Sequence, residues 1–478
     1  MEDSTEVIDL LVIGGGTAGI VGAKTAARLG ARTVLVEYAR TGGDCLWTGC
    51  VPSKTLLSAA GTSATERSLS GSSTDFAAVR QRISSAIAAI EPEDSPAALE
   101  SAGVTVMSGS ARFTGPGEAT VDGRKIRFRQ ALIATGSAPT LPPIPGLDDA
   151  PLVVTSETIW DLETLPERLV IIGGGPIACE LGQAFARLGS QVVILARSAI
   201  LPKEDRDAAA LVRDSLRSDG VQVIENAAVD RISNDNDGTR TVVHTKDGQE
   251  YPADVILAAT GRKARTRGLG LDLVGVDCDG SGQVVVDEAM RSSNPTIWAA
   301  GDVTAYPEFT HLAGVHASTA ASNAILGLRW KVSKVIPRVT FTSPEVAAVG
   351  VTEARTKTHT TSTIQHAHTD RAITENQTNG FTRIIIGKGG RIVGGTIVGP
   401  RAGESLAELT LAVDQGLSTR ALSGVTHPYP TYNDALWNAA VAHARSGLES
   451  PAARVAVKAL AGLNRWRTDR LKRQRNAQ

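Results

Sequence analysis

The sequence predicts an α/β protein of two to four domains, two of them built on parallel sheets. A strand, a glycine-rich turn, an alanine-rich helix and a second strand follow one another at 8–37, and the same order returns at 168–196. At 478 residues the chain also exceeds what one ordinary core holds. Its 48 glycines fit a fold with many close backbone approaches. The formal net charge of −1 gives no overall field to recruit nucleic acid or a membrane. No uninterrupted apolar run approaches the roughly 20 residues that span a bilayer. The opening "MEDSTEVIDLLVIGGG" lacks a basic leader segment, and four scattered cysteines do not make a secreted disulfide framework. A cytoplasmic location is therefore expected.

In the first repeat, "IDLLVIGGGTAGIVGAKTAARLG" leads to the strand "TVLVE". Gly14 permits the tight turn, Gly16 lets backbone approach a pyrophosphate at the helix N-terminus, and Gly19 allows close helix–strand contact. Glu37 ends the second strand, where a carboxylate can accept hydrogen bonds from a ribose. The second repeat, "RLVIIGGGPIACELGQAFARLGSQVVILARS", supplies Gly173, Gly175 and Ala178. Here Ala196 stands where Glu37 stood, followed by Arg197 and later Lys203. An acid at that place repels a 2′-phosphate, whereas arginine attracts one. The first site thus reads as FAD-like and the second as NADPH-preferring, with NADH the less favoured donor.

Two further strands, "ALIATGSAP" and "VILAATGRK", end in Ala-Thr-Gly and leave Gly136 and Gly261 at chain crossings beside a nucleotide. "TIWAAGDVT" places Asp302 at a strand end, suited to a polyol such as the ribityl chain of FAD. These features predict two Rossmann-like dinucleotide-binding domains: FAD at 1–150 and 270–335, NAD(P)H at 151–269.

Half of the cysteines fall in "GGDCLWTGCVPSK", at Cys45 and Cys50. On an ideal helix that spacing separates the Cα atoms by roughly 8.5 Å, beyond the about 7 Å limit for a disulfide. A bridge therefore requires a distorted first turn. Pro52 cannot donate the helical bond back to Thr48, and Gly42, Gly43 and Gly49 loosen the approach. A zinc site would want four ligands, and Cys179 and Cys278 are isolated. A redox-active disulfide is favoured over a metal site or two structural thiols.

This stretch resembles the active-site signature of class I pyridine nucleotide–disulfide oxidoreductases, which include lipoamide dehydrogenase, glutathione reductase and mercuric reductase. The resemblance runs from about residue 8 to 447, in the family's order. It implies that hydride passes from NADPH to the flavin, and then an electron pair to the Cys45–Cys50 disulfide. Cys50 would be the flavin-proximal thiolate and Cys45 the exchange thiol that meets a small-molecule acceptor. Lys54 matches the lysine near the flavin, and Glu180 the acid that pairs with it near the nicotinamide. Gly43 and Ala111 match FAD-contacting positions, and Thr310 the start of the helix facing the isoalloxazine.

The resemblance further implies a C-terminal α+β dimerisation domain at 336–447. It opens with "IPRVTFTSPEVAAVGVTEA" and continues through "GGTIVGPRAGESLAELTLAV". A homodimer follows, with each active site completed by the partner's domain. Disulfide-reducing members close this domain with His-Pro-Thr-x-x-Glu, the histidine serving as acid–base. Here "THPYPTYNDALWNAAV" puts Tyr429 at the histidine position and Asp434 at the glutamate position, with His427 two residues away as a substitute. Tyrosine is a poor base at neutral pH, with an ordinary pKa of about 10. A tyrosine after proline resembles mercuric reductase. That enzyme's C-terminal cysteine pair has no counterpart in "RLKRQRNAQ", and no metal-binding domain precedes Gly14.

"QHAHTDRA" gives His366, His368 and Asp370 ligand-like spacing, although one strand end rarely makes a metal site by itself. Cys179 reads as packed. Residues 448–478 form a basic extension, with eight basic residues and one acid from Arg454 onward. Val455, Leu460, Leu463 and Trp466 fit one helical face, which would suit weak contact with an anionic membrane or a protein. A solvated or frayed tail is the simpler expectation. The expected function is NADPH-dependent, FAD-mediated reduction of a small disulfide or soft metal ion through Cys45 and Cys50. The rivals are quinone reduction from the flavin and a redox-sensing, partner-binding flavoprotein.

Overall fold

The computed structural model describes residues 7–71, 74–148, 150–234, 241–354, 356, 358–449 and 451–475. They divide into two compact units, Met1–Pro202 with Arg213–Lys334, and Lys203–Val212 with Val335–Gln478.

The first unit begins with β1 (Ile8–Ile13), α1 (Thr17–Arg28) and β2 (Thr33–Glu37). In β1, Leu10, Leu11 and Val12 are all fully buried, which is the continuous apolar run of a strand covered on both faces. Next come α2 (Gly43–Trp47), α3 (Cys50–Ser70), β3 (Val104–Ser108) and β4 (Arg124–Ile133). The order β3-β2-β1-β4 is parallel throughout, and β4 continues into an antiparallel meander with Glu118–Val121 and Ala111–Gly115. Small residues let α1 lie close to the sheet. A Cβ on Gly22 would stand 2.4 Å from Leu132, while Ala18, Ala23 and Ala26 share a buried cluster with Ala317, Ala320 and Ala321.

The chain then forms β5 (Ser137–Pro139), β6 (Arg168–Ile172), α4 (Pro176–Leu188), β7 (Gln191–Ala196), β8 (Val255–Ala258) and β9 (Arg262–Ala264). A second parallel sheet runs Gln222–Glu225, β7, β6, β8, Val153–Thr155. The two Ala-Thr-Gly exits meet in the antiparallel pair β5–β9, the chain crossing that the sequence predicts. β10 (Ile297–Ala299) joins β4 in parallel, and α5 (Thr310–Leu326) follows.

In the second unit, five antiparallel strands run in the order Arg338–Thr340, Glu345–Gly350, Ile392–Gly399, Phe381–Ile386, Thr360–Gln365. The helices α6 (Ala402–Asp414) and α7 (Asp434–Ser446) bury Leu406, Leu409, Leu436, Ala439 and Ala440 in a cluster with Ile384 and Ile397. The last element is α8 (Pro451–Arg475), none of whose residues is buried. Within the extension, Pro451–Arg475 is thus a solvent-exposed helix, solvated as expected and not frayed.

Candidate active site

Cys45 and Cys50 sit on two helices, which corrects the single distorted first turn inferred from spacing. Cys45 lies in α2 and Cys50 opens α3. Between them Thr48 (φ −137°, ψ −3°) and Gly49 (φ −115°, ψ −108°) break the helical path. A Cβ on Gly49 would lie 2.9 Å from Asp44 O, so the break is as tight as glycine permits. Pro52 falls in the first turn of α3, where an N–H would have no helical acceptor in any case.

Both cysteines are half-buried free thiols, hydrogen-bonded to each other. The Cys45 contact holds the Cys50 pKa down at about 6, helped by Thr310 and Lys54 against the opposing effect of burial. Thr310 Oγ1 lies 3.2 Å from Cys50 Sγ. The same contact, with burial, pushes Cys45 far up. The pair therefore shares one proton, with Cys45 as thiol and Cys50 as thiolate at neutral pH. The position of Cys50 in the first turn of a long helix adds to this preference.

Around the pair, Lys54 Nζ meets Glu180 Oε2 at 2.9 Å, the pairing expected from sequence. Glu180 is buried on α4. A second network was not foreseen. The Arg262 guanidinium, 10% exposed, lies 3.2 Å from Asp44 Oδ2 and donates through Nε to Ser137 Oγ at 2.8 Å. Ser137 in turn donates to Asp302 Oδ2 at 3.0 Å. Asp44 also accepts from Thr48 Oγ1, and Trp160 Nε1 donates to Thr48 O at 2.8 Å. Arg262 and Ser137 each follow the glycine of an Ala-Thr-Gly exit, which is the one signal in the sequence that marks them.

The glycine turns fit dinucleotides. At Gly14 (φ +106°) a Cβ would stand 2.3 Å from Ala134 O, and at Gly173 (φ +140°) 2.3 Å from Ala259 O, so neither place admits a side chain. A Cβ on Gly19 would overlap Gly14 O at 1.8 Å, as helix–strand contact requires. By contrast, Gly175 faces open space, and Gly16 meets only Gly43. The N-caps Gly16 and Gly175 make no side-chain cap, and neither first turn carries an acid. Both helix N-termini thus present uncapped N–H groups to an anion such as a pyrophosphate.

Glu37 Oε2 accepts from Gly15 N at 2.6 Å, which fixes the carboxylate at the strand end. Asp302 is raised above the usual carboxylate range by burial. Gly136 (φ +66°) and Gly261 (φ +142°) lie at the crossing, and half-buried Ala111 starts a strand of the meander. Ala178 is fully buried on α4. Arg197 is exposed, with no ion pair among the described residues. Lys203 falls in the second unit, so the structure does not group it with Arg197.

Within the second unit the acid–base candidates take separate partners. His427 Nε2 lies 2.7 Å from Glu408 Oε1 and Nδ1 lies 3.0 Å from Val425 O, so both ring nitrogens face oxygen acceptors. Asn433 Nδ2 donates to the other oxygen of Glu408, a residue the sequence reading did not single out. Tyr429 is exposed and donates its O–H to Asp370, which raises its pKa. Asp434 does not orient Tyr429. It accepts from Thr431 N at 3.0 Å at the start of α7. His366 is buried against Thr382 Oγ1 at 3.1 Å, and no metal-holding cluster exists among the described residues. Cys179 is fully buried, and burial pushes its thiol up.

The description "pyridine nucleotide-disulphide oxidoreductase" matches residues 8–317, and the dimerisation domain of the same enzymes matches 336–440. The chain belongs to the pyridine nucleotide-disulphide oxidoreductase family. Members of the family are FAD- and NAD(P)H-dependent enzymes with a disulfide redox centre, and this chain is one of these flavoprotein oxidoreductases. Its dimerisation domain supports a homodimer. Among its relatives, mercuric reductase of Streptomyces lividans is 36% identical over 90% of this chain and 94% of its own length. Dihydrolipoyl dehydrogenase of Thermus scotoductus is 34% identical over 91% and 97%. The HOCl-induced flavoprotein disulfide reductase RclA from Escherichia coli, solved as a Cu(II) complex, superposes with a TM-score of 0.83 at 29% identity, covering 91% of this chain and 99% of that one. Among the described residues, no helix of this oxidoreductase is long and apolar enough to cross a membrane.

Proposed function

We propose that this oxidoreductase uses NADPH to reduce a soft metal ion, such as Hg(II) or Cu(II), at Cys45 and Cys50. One observation carries the reading. Cys50 opens a helix within reach of Thr310 and its pKa is held down at about 6 beside Cys45, while exposed Tyr429 stands at the place of the acid–base histidine used in disulfide exchange and the two His427 nitrogens face oxygen acceptors. A soft cation needs two thiolates and no proton delivery. The mercuric reductase relatives and the Cu(II) complex of RclA support the same acceptor class.

Residues 1–150 and 270–335 would hold FAD, 151–269 NADPH, and 336–447 would form the dimerisation domain. FAD would rest on Gly14, Gly16, Gly19, Gly43 and Ala111, with Glu37 at a ribose, Gly136 at the crossing, Asp302 at the ribityl chain and Thr310 at the ring. NADPH would rest on Gly173, Gly175, Ala178 and Gly261, with Arg197 toward a 2′-phosphate. When bound, these two groups supply two electrons to the sulfur pair. Cys50 would take the incoming cation as thiolate, Cys45 would release its proton to solvent as the second sulfur binds, and the pair's two electrons would pass to one Hg(II) or to two Cu(II) as the Cys45–Cys50 disulfide re-forms. Lys54 holds positive charge beside Cys50, and Glu180 keeps that lysine in place. Tyr429 of the partner subunit would close the site.

NADPH oxidation measured with Hg(II) and excess thiol, Cu(II), low-mass disulfides and quinones, in wild type and Cys45→Ser, tests this reading. Metal turnover that disappears in the variant is the expected result. Quinone turnover that survives it, without metal turnover, would sink the proposal and leave the cysteines outside the reaction.

A further inference from the structure

Past the dimerisation domain, α8 separates its residues in two ways. From Ala452 to Trp466, Val455, Ala459, Leu463 and Trp466 recur at spacings of three and four and form one stripe. Val455 is 68% and Trp466 57% exposed, so the stripe faces solvent with large apolar side chains. Arg454, Lys458, Arg465 and Lys472 recur at spacings of four and seven along another side of the helix. Beyond Trp466 the helix is basic all round, and the Arg470 guanidinium covers the Trp466 ring at 5.6 Å.

Charge is also divided along the chain. The whole protein carries 49 basic and 50 acidic side chains, yet the segment from Arg454 holds eight basic residues and one acid. The rest of the chain is therefore net acidic, while these eight cations lie on a helix that buries nothing.

We infer that α8 is an interfacial helix that docks the enzyme on an anionic lipid surface. An apolar stripe ending in tryptophan, bordered by arginine and lysine, is the composition of helices that lie in a headgroup layer. The apolar side chains enter the acyl boundary while the long cationic stems reach back to phosphate. A polyanion such as nucleic acid would engage the cations but has no use for the apolar stripe. The helix lies on the bilayer and does not cross it, since it is far too charged to span. Docking would place an acidic enzyme at a membrane that its own net charge otherwise repels.

Flotation of the full-length, FAD-loaded protein with vesicles tests this. One set is phosphatidylcholine with phosphatidylglycerol, the other phosphatidylcholine alone, each at low and high salt. The wild type is expected on the anionic vesicles and to leave them as salt rises. Combined Arg454→Gln, Lys458→Gln and Arg465→Gln should weaken binding roughly a hundredfold, at about 1 kcal/mol per cation. Combined Leu463→Ser and Trp466→Ser should weaken it at least about tenfold through lost apolar burial. NADPH oxidation should be unchanged in both, because none of these residues belongs to the redox site. Wild type that stays unbound would overturn the inference. So would binding insensitive to the apolar pair, which marks simple polyanion attraction, or a change in oligomeric state caused by that pair, which marks a second copy as the occupant.

Discussion

Thr310 and Cys50 are 260 positions apart, yet the Thr310 hydroxyl at 3.2 Å adds to the effect of Cys45 in stabilising the thiolate. Because the Cys50 pKa is depressed to about 6, its nucleophilic form is present above that pH and is lost as pH falls through it. Thr310→Val removes the donor. A hydrogen bond to a charged group contributes about 1.5–3 kcal/mol, so the acid limb of iodoacetamide alkylation should move up by roughly one to two pH units. A limb that stays in place would show that Cys45 alone sets the thiolate. Arg262 acts further from the sulfurs, where Arg262→Met leaves half-buried Asp44 and buried Ser137 without their cation. The expected outcome is slower turnover with unchanged Cys50 alkylation, since the guanidinium contacts Asp44 and not the sulfurs.

At the scale of elements, the two glycine turns differ in a way that separates folding from binding. Gly19→Ala would drive a Cβ into Gly14 O and should destabilise the protein by about 3 kcal/mol, with loss of FAD on gel filtration. Gly175→Ala meets nothing within 4 Å, and its φ of −80° suits alanine. It should fold and keep FAD, while the KM for NADPH rises at least about tenfold because the methyl occupies the pyrophosphate's approach. The five-stranded sheet carries a pH term of its own. Burial holds the His366 pKa down at about 4, against about 6.5 when unfolded. The unfolded chain thus binds the extra proton between those values, and stability is lost as pH falls from about 6.5 to about 4, on the order of 3 kcal/mol. His366→Gln should flatten that slope in thermal melts taken across the interval. The repeats of strand, turn and helix were legible because each is closed within about thirty residues. The partner of His366 was not, because sheet pairing brings Thr382 to it from a separate strand.

At the scale of the whole molecule, the dimerisation domain makes the active site a property of two chains in our reading. Cys45→Ser and Tyr429→Phe subunits, each inactive or slow as homodimers, should complement one another when refolded together. A heterodimer would hold one intact site, so random pairing should restore about a quarter of wild-type activity, a statistical figure that follows from sites shared across a symmetric interface. No recovery above the separate variants would place Tyr429 outside the partner's site. Truncation before Pro451 should leave this complementation intact, since α8 buries nothing.

The sequence by itself determined the two dinucleotide turns, the cysteine pair and the family. Each rests on residues close along the chain, whose backbone demands can be read from glycine, proline and hydrophobic pattern. Only the tertiary structure decided what tunes the pair. Thr310 reaches Cys50 across 260 positions, Arg262 joins the redox helix to a strand exit, and the two ring nitrogens of His427 face Val425 and Glu408. Electrostatic and hydrogen-bond partners act through space over a few ångströms, and the distances that matter are set by how sheets and helices stack, which no local spacing records.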